Sequence, residues 1–580
     1  MISGLSQPDI GQQENNPGRH MDSDVSFGDF TGLEVSDMLR NNQVFSGLLM
    51  SDNSGPTRSN HQVAMCRGEG YYSAAWIRKE NDLDVEIIKT QSERESRYAH
   101  HGWSPSAMSN LSPWTISRTA GTNQSTRAGT WRTDRMTIQT VLVKIPLEEL
   151  KPNPSFESEV RAALGLQKKS EKVQAVYEVL KRWGDMIPLL YDLGASLSIT
   201  DLEPNIQGFS FWDSDFSLPK SANLSIKGGT IRSIRQGIDA WSEQNLKPRD
   251  CRIVRIVEAV PTFRLLDIQL QKELMDLHST ILSMDQTNQD EPTKGSKTWN
   301  DADFAFRTLS SVAIRSGCRI DGLSLAYRDG SRTSHRGDHG GHEHSFDLAV
   351  DEHIIDVLVW KKRGILFGVQ FITTKGRMSP HYGDHDGIPT LLSCSDGVLA
   401  GLSGSHDGGK IGPIQAIWRH DIMPNVPIKY AEYIGGTGGK PFNDWAYVGN
   451  SHFTHVSRID INCGADIDGI QFTYTKKQGA DASITTANFH GARGGAKRNF
   501  QLDADDHIVS VCGTHNGRFL RGLCFGTYKG RTSSFFGENH GSQFKCQPRT
   551  KDGKAMRLYF VAGKCGDRVD GLLFVWIPIE

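Results

Sequence analysis

The residues of this chain best suited to chemistry sit in a short phrase that returns three times in its last third. Gly464 to Gly469 and Gly566 to Gly571 share a Gly-x-x-x-Asp-Gly frame, ending on Asp468 and Asp570, while Gly517 to Gly522 carries Arg521 in the aspartate's place. One carboxylate and a few backbone N–H groups, held rigidly at a shallow surface, supply the acceptors and donors that a pair of sugar hydroxyls needs. Glycine belongs beside them, because a backbone that approaches a ligand closely has no room for a Cβ. The plainer reading stays open: Asp570 caps a turn and the glycines are tight-turn residues. A second cluster, His335, His339, His342 and His344, offers metal-binding donors. Its setting, GDHGGHEH, reads as a solvated loop without fixed geometry, so no metal is expected.

The elements that position these residues are repeated units. Gly469, Gly522 and Gly571 are 53 and 49 residues apart, and each opens an alternating apolar run after a turn glycine, a turn feeding a β-strand. Three such units predict a small all-β domain with internal threefold symmetry. The whole domain repeats upstream: Gly317 to Gly322 matches Gly464 to Gly469 at an offset of 147, and Asp351 to Ile355 matches Asp505 to Val509 at 154. Two copies with small loop insertions are expected. The first copy keeps the threefold rhythm at Asp321-Gly322, Phe367-Gly368 and Gln415-Ala416.

The bulk numbers bound the rest. A chain of 580 residues is too long for one core. A charged fraction of 23% and a net charge of −2 argue against nucleic acid as a partner. Nine cysteines without any Cys-x-x-Cys pair read as reduced thiols rather than a disulfide framework or zinc site, and no cofactor is expected. Met1 to Asn16 lacks a basic start and an apolar stretch, and no apolar run reaches membrane-helix length. The expectation is a soluble protein, cytoplasmic or released by a non-classical route, membrane-associated only after oligomerisation. No nucleophile elbow, phosphate loop or His-Glu-x-x-His is present, so no enzyme is expected.

Upstream, residues 1–60 are polar and read as a partly disordered tail, in which only Phe27 to Leu49 has enough apolar content for an element. Ser125 to Thr133 reads as loop and Met136 to Ile145 as a strand. Helices are predicted for Phe156 to Leu164 and Ser170 to Trp183, where Val173, Val176, Tyr177 and Leu180 share a face and Gly184 supplies the stop. Leu189 to Thr200 and Cys251 to Val260 read as strands, Leu266 to Ile281 as a helix, and residues 285–294 as a linker.

Residues 295–425 and 430–580 resemble jacalin-related lectins. The second copy has the opening Gly435-Gly436-Thr437-Gly438-Gly439 with Phe442-Asn443-Asp444, the Ile467 to Ile470 strand, the His490 to Gly495 loop, and the closing Gly566 to Asp570. The resemblance implies β-prisms of three four-stranded sheets. It places Asp570 on two sugar hydroxyls, with Gly566, Asp567 and Arg568 giving the loop and its backbone N–H groups and Gly439 supporting from the opening loop. A second carbohydrate site is implied at Gly464, Asp466, Asp468 and Gly494. In the first copy Gln415 stands where the closing aspartate is sought and Ile411 where its glycine is sought, so only Gly317 to Asp321 keeps the ligand pattern and the closing site is degenerate.

Residues 61–284 resemble a divergent membrane-attack-complex/perforin domain, on Trp183-Gly184-Asp185-Met186-Ile187-Pro188, Leu193-Gly194-Ala195, Gly228-Gly229, Trp241 and Pro261. That resemblance implies an α+β domain in which helix clusters flank a bent antiparallel sheet, with Gly194, Gly228 and Gly229 at the bend. The second cluster is expected between Ala195 and Gly228, a short segment for a membrane-spanning hairpin. The fold class expected is therefore multidomain, a perforin-like α+β domain followed by two all-β prisms. The function expected is glycan binding that targets a pore-forming protein to cell-surface glycoconjugates and the membrane beneath, as a homo-oligomer; the alternative is a non-lytic lectin whose N-terminal domain is a scaffold.

Overall fold

Three 17-residue strands, Trp76–Ser92, Ala128–Lys144 and Met186–Leu202, pair antiparallel in that order as the body of the N-terminal sheet. The computed structural model describes residues 19–20, 32–51, 55–68, 75–120, 128–212, 221–229, 238–242, 246–284 and 296–579, apart from 385, 395, 408, 423, 425, 426, 428, 452, 479, 480 and 551. The fourth place in the sheet is taken by two pieces: Arg252–Pro261 runs along residues 186–194 and Asn223–Lys227 along 196–200. Pairing slips at one level across the strands, between Lys79 and Asp82 on the first and between Gln139 and Val141 on the second. Gly194 on the third faces Gln139 and Arg252, at the break in the fourth. Bulges bend and twist strands, and bulges aligned across neighbours bend the sheet as a whole.

Helices cover this sheet. Glu93–His100, Pro105–Ser109 and Pro113–Ala120 lie between the first and second strands in sequence. Pro154–Leu164 starts on Asn153, whose side chain accepts from the Ser155 N–H, with proline at its first turn; Lys169–Trp183 ends on Gly184 at φ 94°. The predicted face of the second helix is the buried one, with Val173, Val176, Tyr177, Leu180 and Trp183. Asp185, fully buried, takes a bidentate ion pair from Arg118 of the third helix and the Met50 N–H at 2.7 Å, which pins that helix to the start of the third strand.

Four expectations are corrected here. Residues 32–51 and 55–62 are not tail: Gly32–Asn41 is a helix, Ser46–Leu49 and Thr57–Gln62 are strands, and Met38, Leu39, Phe45 and Leu48 are buried. Residues 1–18, 21–31 and 52–54 of that tail, and the linker 285–294, lie outside the described residues. The predicted loop at Ser125 to Thr133 gives way to a strand from Ala128, because Trp131 and Thr133 bury against the third strand. The segment after Ala195 is still strand to Leu202, so the second excursion runs over 203–222. The long helix spans Ile268–Ser279 rather than Leu266 to Ile281.

The second half is two β-prisms. In the first, Leu282–Met284 and Lys297–Asn300 flank the hairpin Val398–His406/Ile411–Arg419, and two further four-stranded sheets are built on Leu309–Ser316/Ile320–Tyr327 and Ile354–Lys362/Ile365–Thr373. The second prism repeats this with hairpins Met556–Cys565/Val569–Pro578, Thr454–Cys463/Ile467–Gln478 and Ile508–His515/Leu520–Thr527. Alternating apolar residues of the sheets fill each interior, among them Val312, Val357 and Leu402 in the first and Ile459, Val511 and Val561 in the second. The prisms share a core surface: Ile355, Leu358 and Trp360 of the first pack into the second prism's apolar cluster. Lys429 Nζ reaches Asp356 Oδ2 at 2.8 Å with both side chains buried, and Asn443 Nδ2 donates to Gln370 Oε1 at 3.1 Å.

Candidate functional site

Every prism hairpin closes on a register slip, and that slip fixes which residue stands at each corner. Cys565 pairs Val569, Cys463 pairs Ile467 and Ser316 pairs Ile320, each followed at once by an aspartate: Asp570, Asp468 and Asp321. Facing each carboxylate is a pair of glycines. A Cβ on Gly439 would lie 2.5 Å from Asp570 Oδ2, on Gly495 2.5 Å from Asp468 Oδ2, and on Gly341 2.6 Å from Asp321 Oδ2. All three glycines have positive φ (71°, 65° and 64°), a conformation that L side chains avoid. Gly438, Gly494 and Gly340 precede them, and an added Cβ there would come within 2.6, 3.4 and 3.6 Å of the same carboxyl groups. The structure therefore brings together Asp570, Gly439 and Gly566, separately Asp468, Gly464 and Gly494, and, where Gly317 to Asp321 keeps the pattern, Asp321 with Gly340 and Gly341.

The closing corner is the most complete. Gly566, Asp567 and Arg568 form an exposed loop over the nearly buried Asp570, closed by the Gly566 N–H on the Arg568 carbonyl at 2.9 Å. Gly436 N–H donates to the Asp570 carbonyl at 2.8 Å and ties the opening loop to it. Burial raises the Asp570 carboxyl above the usual aspartate value, against the opposing pull of the Gly566 N–H, Lys564 and Arg518. A carboxylate so placed accepts two hydroxyls from the loop side and little else.

Two predicted site residues are engaged elsewhere. Asp466 does not face the Asp468 cradle with its side chain: Arg568 Nη1 lies 2.5 Å from its Oδ2 and Arg521 Nε 3.4 Å from its Oδ1. The side chains of Asp466 and Arg568 thus hold the two loops together. At the third cradle Arg319 Nε sits 3.3 Å from Asp321 Oδ1, so part of that carboxylate is already paired. The first prism's closing corner is corrected by its register. His406 pairs Ile411, so Gly412, not Gln415, occupies the carboxylate's place, and Ile411 matches Val569. No aspartate follows Ile411 as Asp570 follows Val569.

The histidine run is not a loop throughout: His342–Asp347 is a strand paired with Leu309–Ser316. His335 packs on Gly322 and stacks on His339 at 4.4 Å, while His344 lies against Tyr382. In the second prism His490 stacks on Phe442 at 3.7 Å and meets Asp444 at 2.7 Å, so the Phe442-Asn443-Asp444 opening is scaffold. Gly438-Gly439 and Gly494-Gly495 are read from the sequence; the missed pair is Gly340-Gly341, inside the histidine run.

At the bend of the N-terminal sheet the three hinge glycines converge. A Cβ on Gly194 would lie 1.9 Å from the Ile138 carbonyl oxygen, and one on Gly228, at φ 67°, 2.4 Å from the Gly194 oxygen. Gly229, at φ 65°, donates its N–H to the Asp250 carbonyl at 3.1 Å.

Two β-prisms joined to a bent sheet with flanking helices set the frame into which the family matches fall. The chain carries two jacalin-like lectin domains and a fungal MACPF-like domain: the first family's model matches residues 292–417 and 431–574 and the second's 44–207. Among similar proteins, Myrosinase-binding protein 2 of Arabidopsis thaliana is 31% identical over 36% of this chain and 30% of its own length. Jacalin-related lectin 32 of Arabidopsis thaliana is 28% identical over 43% of this chain and 86% of its own. This chain spans about three tenths of the length of the myrosinase-binding relative. A solved mannose-binding jacalin-related lectin from Ananas comosus is 23% identical, covering 26% of this chain and 99% of that one at a TM-score of 0.22. Among the described residues no helix is long and apolar enough to cross a membrane.

Proposed function

We propose that the prisms hold the protein to glycans through the Asp570, Asp468 and Asp321 cradles, and that the N-terminal domain, so concentrated on a target surface, oligomerises and perforates the membrane. The observation that carries the first step is the thrice-repeated carboxylate packed against two glycines, where a side chain would collide with the carboxyl group and with the neighbouring strand's backbone, so the backbone lies close around each acceptor. Several weak sites on one rigid pair of prisms raise avidity without new contacts. A glycoprotein is a fitting ligand, in keeping with the names of the myrosinase-binding relatives.

The second step is supported by the bend and its three glycines. A spanning hairpin needs two strands of about 9–11 residues each. The excursion at 93–127 has 35 residues and the one at 203–222 has 20, the bare minimum. That shortness favours the second reading, a non-lytic lectin whose N-terminal domain is a scaffold or oligomerisation module. Neither reading involves turnover of the sugar.

Dye release from liposomes bearing the preferred glycan, with a glycan array on the full chain to choose it, separates the two. Release that fails in Asp570→Ala/Asp468→Ala supports the lytic reading. Intact sugar binding without release leaves the lectin alone.

A further inference from the structure

Three donors of different chemistry meet on the first prism, away from the carboxylate cradles. Cys394 and Asp396 sit in the turn between Ile388–Ser393 and Val398–His406, and His420 directly follows Ile411–Arg419. Cys394 Sγ is 3.4 Å from Asp396 Oδ1 and 3.9 Å from His420 Nδ1, and Asp396 Oδ1 is 3.0 Å from that nitrogen. The far side of the imidazole is fixed: His420 Nε2 lies 2.6 Å from Ser283 Oγ on the neighbouring strand Leu282–Met284, and the His420 N–H donates to the Ile281 carbonyl at 2.8 Å.

We propose that Cys394 Sγ, Asp396 Oδ1 and His420 Nδ1 bind a single zinc ion, with the fourth position left to water. Zinc bonds of about 2.3 Å to sulfur and about 2.0–2.2 Å to nitrogen or oxygen, at tetrahedral angles, set donor–donor separations of about 3.3–3.6 Å. The three separations here bracket that range, so the ion enters with shifts of a few tenths of an ångström. Thiolate, imidazole and carboxylate together favour zinc over magnesium or calcium, which take oxygen. Nδ1 faces Asp396 Oδ1 at 3.0 Å and the Asp396 carbonyl at 3.3 Å, so the ion would take the place of a proton there, and Ser283 Oγ can accept from Nε2–H in the tautomer a metal needs. The ion replaces the weak Cys394–Asp396 hydrogen bond and the Asp396–His420 contact, and the Cys394 thiol gives its proton to solvent on binding. The site escapes a search for paired cysteines because its ligands are a Cys-x-Asp pair and a histidine 24 residues on.

Its placement gives it a task. Zinc would fasten the 394–396 turn to the end of Ile411–Arg419 and, through Ser283, to the strand that leads into the first prism. The Ser283–His420–Asp396 line also has the spacing of a general-base relay; the thiol on the Nδ1 side, where a relay needs no further donor, decides for a metal.

The test titrates the full-length chain, stripped by a chelator, with zinc and with cobalt. Expected are one equivalent bound and a thiolate-to-cobalt charge-transfer band. Cys394→Ser should abolish the band, Asp396→Asn and His420→Gln should weaken zinc at least tenfold, and Ser283→Ala, which keeps all three ligands, should weaken it about 10–100-fold. Asp396 is the control for folding, since its side chain is 56% exposed and its amide is compatible with the turn. Equal zinc binding by wild type and the folded Asp396→Asn and Cys394→Ser variants overturns the proposal. So does turnover of an activated ester that needs Ser283 and ignores zinc.

Discussion

Arg568 Nη1 lies 2.5 Å from Asp466 Oδ2, an ion pair between the loop of the closing cradle and the loop of the second one. Arg521, from the corner that lacks a carboxylate, approaches the other oxygen of Asp466 at 3.4 Å. Arg568 and Arg518 both stand 5.1 Å over the Phe519 ring. One aspartate therefore ties the three strand-opening loops of the second prism, and the corner without a sugar carboxylate supplies an anchor instead.

Arg568→Ala should weaken sugar binding at both cradles, since it frees Asp466 and loosens two loops at once, whereas Asp567→Ala, at an exposed position, should leave the Asp468 site unchanged. Calorimetric titration of Asp570→Ala and Asp468→Ala backgrounds reads each site separately. A double-mutant cycle of Arg568 with Asp466 should show coupling on the order of 0.5–3 kcal/mol. Zero coupling would mean the pair is a surface ornament of the kind common between exposed charges.

Removing the Asp570 carboxylate deletes charge-assisted hydrogen bonds worth about 1.5–3 kcal/mol each, so Asp570→Asn should cost the closing site at least tenfold. Gly439→Ala should do as much, by placing a methyl 2.5 Å from Oδ2 at a φ of 71°. The pH sign follows from burial, which raises this carboxyl. The ionised form accepts hydroxyls, so binding holds at neutral pH and falls in acid at a pH above that of an ordinary aspartate. Affinity profiles of the Asp468→Ala variant isolate this limb; a midpoint at or below the ordinary value refutes it.

The prisms were legible because their signal is a period, and a period survives the divergence of single residues. The corners were less so. Matching along the sequence sets Gln415 against Asp570, but the His406–Ile411 pair shows that Gly412 holds the place. The N-terminal sheet hid its edges for a different reason. Within the polar residues 1–60 only Phe27 to Leu49 carries enough apolar content for an element, and its Met38, Leu39 and Leu48 are buried, whereas the strand Thr57–Gln62 is too polar to announce itself. The hinge glycines were named singly from a resemblance, and their convergence depends on a fourth strand broken at Gly228, which no local pattern records.

Lys429 and Asp356 form a buried pair between the prisms, so Lys429→Met should destabilise the C-terminal half by about 3–5 kcal/mol by leaving a carboxylate alone in the core. Burial already raises the Asp356 carboxyl, with Lys429 opposing. Without the lysine the group should take up a proton and recover part of the loss in acid. Asp356→Leu/Lys429→Met should regain most of the stability in denaturant unfolding. If the single and double variants lose equal amounts, the interface is held by its apolar contacts alone.

The first helix group is fastened to the sheet by hydrogen bonds, one of them through a histidine that responds to pH. Arg135 Nη1 donates to the Ala99 carbonyl at 3.0 Å, Lys227 Nζ to the His101 carbonyl at 2.7 Å, and His100 Nδ1 meets Thr200 Oγ1 at 2.8 Å. Burial, with repulsion from His101, Lys227 and Arg135, lowers His100 from 6.5 to about 4. A released His100 takes up its proton near 6.5, so the docked state keeps its full advantage above that pH and loses it progressively as pH falls toward 4. The span between those values corresponds to roughly 3 kcal/mol. Hydrogen exchange at residues 93–100, corrected for intrinsic rate, should therefore speed up more than tenfold between pH 7 and pH 5. In His100→Gln the acceleration should vanish while the prisms, with His353 and His507 also lowered to about 4, keep theirs. Equal acceleration in wild type and variant would assign the pH response to another group and leave the helix held by Arg135 and Lys227.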